Sequence, residues 1–167
     1  MTIEEAIKTA IEFETRIRDI YREATAAVDD EVGKRIFETL CKDEQHHIDY
    51  LQHKLRQLQD TGTIVPERLD SIVPSQEVVN REAEKVKSLV AKDFLGIKRQ
   101  MLSKALETEI ETSDFYQKMV NELPAKGQAL FERFLEIENN HIKAVQFELD
   151  YLSKTGYWFD IKEFDME

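Results

Sequence analysis

The sequence predicts an all-α protein, a four-helix bundle of two helical hairpins joined by a long crossover. Three observations point there. Apolar residues recur at helical spacing over four long segments. Only five Gly and three Pro interrupt 167 residues, so turns are scarce. The second half of the chain also repeats the residue pattern of the first.

Taken in order, Thr2 with Glu5 forms a capping-box signature. Ile3, Ile7, Ala10, Ile17, Tyr21, Ala24 and Val28 then mark one face of a first helix. Asp29 and Asp30 make a tight turn and the next N-cap. A second helix carries Phe37, Leu40, Ile48, Leu51, Leu55 and Leu58 on one face and ends near Gly62. Two of the three prolines fall between residues 61 and about 75, at the start of a crossover over about 60–94, with an extra short helix expected from Asn80 to Ala91. The third long helix is expected to begin between Asp93 and Lys98, with Leu102, Ala105, Tyr116, Met119 and Leu123 on its face. Pro124 fits the first turn of a fourth helix that runs to about Lys154 and stops at Gly156.

A shift of 95 aligns Ala10, Glu14 and Tyr21 with Ala105, Glu109 and Tyr116. A shift of 94 aligns Gly33, Phe37, Glu44, His47 and Ile48 with Gly127, Phe131, Glu138, His141 and Ile142. Two similar hairpins give a bundle with pseudo-two-fold symmetry. The expectation is one domain over residues 1–155, followed by an aromatic tail, 156–167, that contains Tyr157, Trp158, Phe159 and Phe164. So aromatic a tail is expected to pack against the bundle or a second copy.

The formal net charge of −11 argues against nucleic acid or an anionic membrane as partner. The single cysteine, Cys41, excludes an internal disulfide and a Cys₄ metal site, and reads as a small residue at the core edge. The acidic start Met1-Thr2-Ile3-Glu4-Glu5 does not read as a signal peptide, and no apolar run approaches the ~18 residues of a membrane span. A cytoplasmic protein is the expectation.

Each apolar stripe is interrupted by residues that do not belong in a core. Glu14 and Glu109 break the first and third. The pairs Glu44/His47 and Glu138/His141 break the second and fourth. Their depths agree too. Glu14 lies 15 residues before Asp29 and Glu44 lies 15 after it, while Glu109 lies 15 before Pro124 and Glu138 lies 14 after it. At about 1.5 Å per residue each is roughly 22 Å from its turn, so antiparallel partners meet at one level. Four carboxylates at close range in an apolar bundle would suffer desolvation and mutual repulsion. Two divalent cations remove both costs, and carboxylate plus imidazole suits iron or manganese better than calcium or magnesium. His46 lies about 100° around the helix from His47 and, with His53, reads as a surface residue.

The pattern Glu14…Glu44-Gln45-His46-His47…Glu109…Glu138-Asn139-Asn140-His141 resembles the ferritin-like superfamily, most closely its rubrerythrin-related branch, over roughly residues 3 to 154. The resemblance implies two iron ions, with manganese or a mixed pair using similar ligands, and an oxo or hydroxo bridge when oxidised. Glu44 and Glu138 would bridge the ions, and Glu14, Glu109, His47 and His141 would bind terminally. Tyr21 and Tyr116 match tyrosines that hydrogen-bond ligand carboxylates in such bundles. Typical rubrerythrins carry a further carboxylate three residues after the third-helix Glu, where this chain has Thr112, which counts against their redox switch and efficient peroxidase chemistry. Their Cys₄ rubredoxin domain has no counterpart here. The implied activity is a di-iron oxidoreductase that reduces H₂O₂ or O₂ with an external electron donor, in a homodimer. The alternatives are a ferroxidase or iron-handling protein, and a non-catalytic metal-binding bundle.

Overall fold

The computed structural model describes residues 1–65, 69–71 and 96–159. These residues form four α-helices: α1 (Ile3–Ala27), α2 (Glu31–Thr61), α3 (Gly96–Glu122) and α4 (Ala125–Thr155). They make the four-helix bundle that the periodicity predicts. The short helix expected at 80–91 lies outside the described residues, as does Phe164.

Local chemistry sets the helix ends. The Thr2 hydroxyl accepts from the Glu5 backbone N–H at 3.1 Å, and the Glu5 carboxylate accepts from the Thr2 N–H at 2.7 Å, completing the capping box. Asp30 caps α2 by accepting from the Gly33 N–H at 2.9 Å. Both long helices of the site end on glycine in the left-handed region, Gly62 at φ 73° and Gly156 at φ 77°, where a Cβ would be strained. Pro124 stands one residue outside the expected position. It is the extended N-cap of α4 (φ −59°, ψ 160°), and its carbonyl accepts from the N–H groups of Gly127 and Gln128. With only Leu123 and Pro124 between α3 and α4, an extended residue is what reverses the chain.

α1 packs against α2, α3 against α4, and α1 also against α3. The apolar stripes meet in two separate cores. One, near the α1–α2 turn, gathers Ile17, Ala24, Ile36, Phe37, Leu40, Leu102, Ala105, Val145 and Leu152. The other, toward the opposite end, gathers Ile7, Ala10, Leu51, Met119, Leu123, Phe131, Phe134 and Ile137. The interrupting acids and histidines lie between these two dry layers. His46 and His53 are exposed, and half-buried Cys41 packs at the edge of the first core. Among the described residues no helix is long and apolar enough to cross a membrane.

The described part of the tail seats on the first core. Phe159 meets Phe147 and Tyr151 edge-on, with centroids 5.0 and 5.1 Å apart, and its backbone N–H donates to buried Glu148 at 3.1 Å. Trp158 packs edge-on against Phe37 and covers Gly33, where an added Cβ would lie 2.8 Å from the indole Nε1. Trp158 is the single tryptophan of the chain, so its fluorescence reports this contact alone. Gly33→Ala is expected to lift the indole toward solvent and shift its emission to longer wavelength. The accompanying loss of stability should be about 1–2 kcal/mol. An unshifted spectrum would mean that the tail does not rest there.

Candidate metal centre

All six predicted positions are fully buried and converge at mid-bundle. Glu14 comes from α1, Glu44 and His47 from α2, Glu109 from α3, and Glu138 and His141 from α4, each with 0% exposure. The three-residue spacing stacks Glu and His on one face a turn apart. The two imidazoles therefore lie parallel, with centroids 5.4 Å apart and planes at 16°.

The oxygens and Nδ1 atoms define two half-sites that share two acids. One is Glu14, Glu44, His47 and Glu138; the other is Glu44, Glu109, Glu138 and His141. Glu44 turns Oε2 to His47 Nδ1 at 3.0 Å and Oε1 to His141 Nδ1 at 2.8 Å. Glu138 Oε1 stands 3.6 Å from His47 Nδ1 and 3.8 Å from His141 Nδ1. Glu14 and Glu109 each serve one half, with an oxygen 3.2 Å from His47 and 3.5 Å from His141 respectively.

The tyrosines cross the bundle. The Tyr21 hydroxyl on α1 donates to Glu109 Oε1 on α3 at 2.5 Å, and the Tyr116 hydroxyl on α3 donates to Glu14 Oε1 on α1. Each phenol thus fixes the acid of the opposite hairpin, a reciprocity that follows from the pseudo-two-fold repeat. Thr112 is buried, but its hydroxyl donates to the Thr108 carbonyl at 2.8 Å and stays out of the cluster.

Periodicity alone missed Asp43. It is fully buried, and its Oδ2 lies 2.7 Å from His141 Nε2 and 3.7 Å from His47 Nε2; it also accepts from Ser71 of the crossover at 2.7 Å. Asp43, His47 and His141 also lie close enough to suit a metal, yet they use the back nitrogens of the same imidazoles. A separation of 2.7 Å is that of a charge-assisted hydrogen bond. Carboxylate–imidazole bonding of this kind fixes the tautomer that leaves Nδ1 free to bind a metal. A signal was present in the sequence, since Asp43 falls three residues after Leu40 and four before His47 on the same stripe.

The electrostatics are those of a cation site. Burial, reinforced by Glu14, Glu109 and Glu44, holds the Glu138 carboxyl well above its usual range. Burial raises Glu44 to about 8; His141 opposes the shift, and repulsion from Glu14 and Glu109 adds to it. Burial alone would lower His47, but Glu14 and Glu44 raise it to about 10, and surrounding acids likewise raise His141. Burial opposes ionisation of Glu14 and Glu109, yet neighbouring hydrogen-bond donors and the imidazole beside each bring both below the ordinary carboxylate value. Without a cation, protons do the neutralising.

They do so incompletely. Among the described residues, both oxygens of Glu138 and Glu109 Oε2 are buried without a hydrogen-bond partner. Buried polar atoms are nearly always paired. Orphans converging on one spot are what metal ligands present, and an all-oxygen and imidazole donor set fits first-row divalent ions such as iron or manganese. The residues fit a dinuclear centre.

No curated protein and no solved structure gives a significant match to the chain. The family model described as Rubrerythrin matches residues 5–149, a span that holds all six predicted ligand positions, Tyr21, Tyr116 and Asp43. With most of its length matched and a buried carboxylate–histidine cluster at mid-bundle, the chain belongs to the rubrerythrin family.

Proposed function

We propose that the chain is a di-iron oxidoreductase that reduces H₂O₂ or O₂ with electrons from an external donor. The observation that carries this reading is the pair of half-sites sharing Glu44 and Glu138. Glu44 and Glu138 would be shared by the two ions, with Glu14 and His47 completing one half-site and Glu109 and His141 the other. Two ferrous ions held there would together supply the two electrons that, with two protons, cleave the O–O bond of H₂O₂ to give two waters.

The chain's own groups prepare that chemistry. Tyr21 and Tyr116 hold Glu109 and Glu14 in place. Asp43 orients His141. The apolar layers above and below keep bulk water out, which strengthens every charge interaction inside. The single cysteine leaves no Cys₄ redox centre within these 167 residues, so reducing equivalents come from outside them. A cytoplasmic homodimer is part of the same reading; the acidic surface supports a soluble setting.

The test is anaerobic loading with Fe(II) followed by H₂O₂. The expected result is two irons bound per chain, oxidised together, with new near-ultraviolet absorption. Iron that binds but resists both H₂O₂ and O₂ would leave a non-catalytic metal bundle. A large shell by size-exclusion mass, in place of a dimer, would favour ferroxidase storage.

A further inference from the structure

The repeat that builds the centre is broken at Asp43. Under the 94-residue shift that superposes Glu44 on Glu138 and His47 on His141, Asp43 falls on Ile137. Both are fully buried beside the cluster, one a carboxylate and the other a hydrocarbon. The consequence for the two imidazoles is unequal. His141 Nε2 lies 2.7 Å from Asp43 Oδ2, while His47 Nε2 stands 3.7 Å from the same oxygen and has no hydrogen-bond partner. That absence holds among the described residues, where its ring meets the Phe134 ring edge-on at 5.5 Å.

We propose that the two metal positions are inequivalent, the half-site of Glu109 and His141 taking the first divalent cation and the half-site of Glu14 and His47 the second, with Asp43 as the positioning residue that sets the order. This rests on reading the cluster as a dinuclear metal site. An imidazole binds a metal through Nδ1 only while Nε2 keeps its proton. A carboxylate accepting that proton's hydrogen bond fixes the ring and strengthens Nδ1 as a donor. His141 has this support; His47 would carry a buried N–H with no acceptor in bonding range.

Asp43 is itself held from the crossover. The Ser71 hydroxyl donates to Oδ2 at 2.7 Å, and the Leu69 carbonyl, two residues earlier, accepts from Arg133 Nε on α4 at 2.9 Å. These bonds stitch residues 69–71 across the α2 and α4 side of the bundle. Residues 69–71 thereby reach the metal centre through the Asp43 carboxylate, on the His141 half.

Removal of such a supporting carboxylate changes metal affinity by about 10–100-fold. The probe is Co(II) added anaerobically to the whole metal-free chain, with affinity read from the Co(II) absorption bands. Anomalous scattering from crystals given one equivalent locates the ion. At one equivalent, the ion should favour the His141 half by about tenfold or more. His141→Ala should weaken the first step by about 10–100-fold, while His47→Ala should leave it within about threefold. Asp43→Asn should weaken the first step by about tenfold and spread the single ion over both halves. Ser71→Ala, which keeps every ligand, should act in the same direction more weakly, and it serves if Asp43→Asn does not fold. A merely structural role for Asp43 would lower the melting temperature of the metal-free chain without redistributing the ion. An even distribution in the wild type, or a first ion at His47, overturns the proposal while leaving two ions per chain and the dinuclear reading intact. Absence of any binding removes both.

Discussion

Glu138→Met should make the metal-free protein more stable and abolish the stabilisation that divalent metal confers. The two effects have opposite signs because one side chain is a liability without cations and a ligand with them. Glu138 is fully buried, neither of its oxygens has a hydrogen-bond partner among the described residues, and three acids surround it. Burying an unpaired polar group costs about 1–3 kcal/mol, and apolar replacement of similar volume recovers much of that. The metal-free melting temperature should therefore rise by roughly 3–10 °C. In the wild type, an ion at 100 times its dissociation constant adds about 2.7 kcal/mol, and two ions add more. The variant, deprived of an acid common to both half-sites, should lose nearly all of that gain. Parallel thermal melts with and without Co(II) provide the measurement. A destabilised metal-free variant would show that the cluster is not electrostatically frustrated, and an undiminished metal response would exclude Glu138 as a ligand.

The second large effect concerns pH. Metal-free protein should lose stability as pH rises from about 4.5 toward about 10. The ordinary value for Glu44 is 4.5, and in the folded chain it is about 8. Between those values the folded state holds a proton that the unfolded state has released, so raising the pH favours unfolding. His47 moves from an ordinary 6.5 to about 10; its contribution is fully present below 6.5 and is lost as pH rises through about 10. Glu138 and His141 shift the same way. Cations must displace these protons, so metal affinity should rise with pH, and loading near neutrality should release up to roughly four protons per chain. The gap between metal-loaded and metal-free melting temperatures should therefore widen between about pH 5.5 and pH 8.5. Other titrating groups cancel in that difference. A gap that stayed constant, with no proton release in weakly buffered solution, would mean that the cluster does not exchange protons for metal.

Much of the centre was legible because helical periodicity is a local property. A residue's place on a stripe depends only on its spacing from neighbours in the same helix. Glu14, Glu44, His47, Glu109, Glu138 and His141 could be assigned to the interior before any helix was docked, and counting residues from the turns put them at one depth. Exposed His46, one residue from buried His47, follows from the same 100° step.

What crosses between helices was not legible. The tyrosines could be matched to ligand carboxylates by resemblance, but not that each would serve the opposite hairpin. The partner of Asp43 became visible only when α4 brought His141 within 2.7 Å. Lys54, three residues after Leu51, is buried, its ammonium donating to the Val65 carbonyl at 2.5 Å and standing 5.2 Å over the Tyr50 ring. The use of Gly33 likewise appears only once Trp158 lies on it.

The sequence alone therefore determined the helices, their inward faces and the set of acids and imidazoles at their centre, because spacing along a helix fixes direction. The tertiary structure decided which oxygen faces which nitrogen, and that one histidine has a carboxylate behind it while its counterpart does not. Those outcomes depend on the rotation and offset of one helix against another, which packing sets at ångström scale and no spacing along the chain encodes.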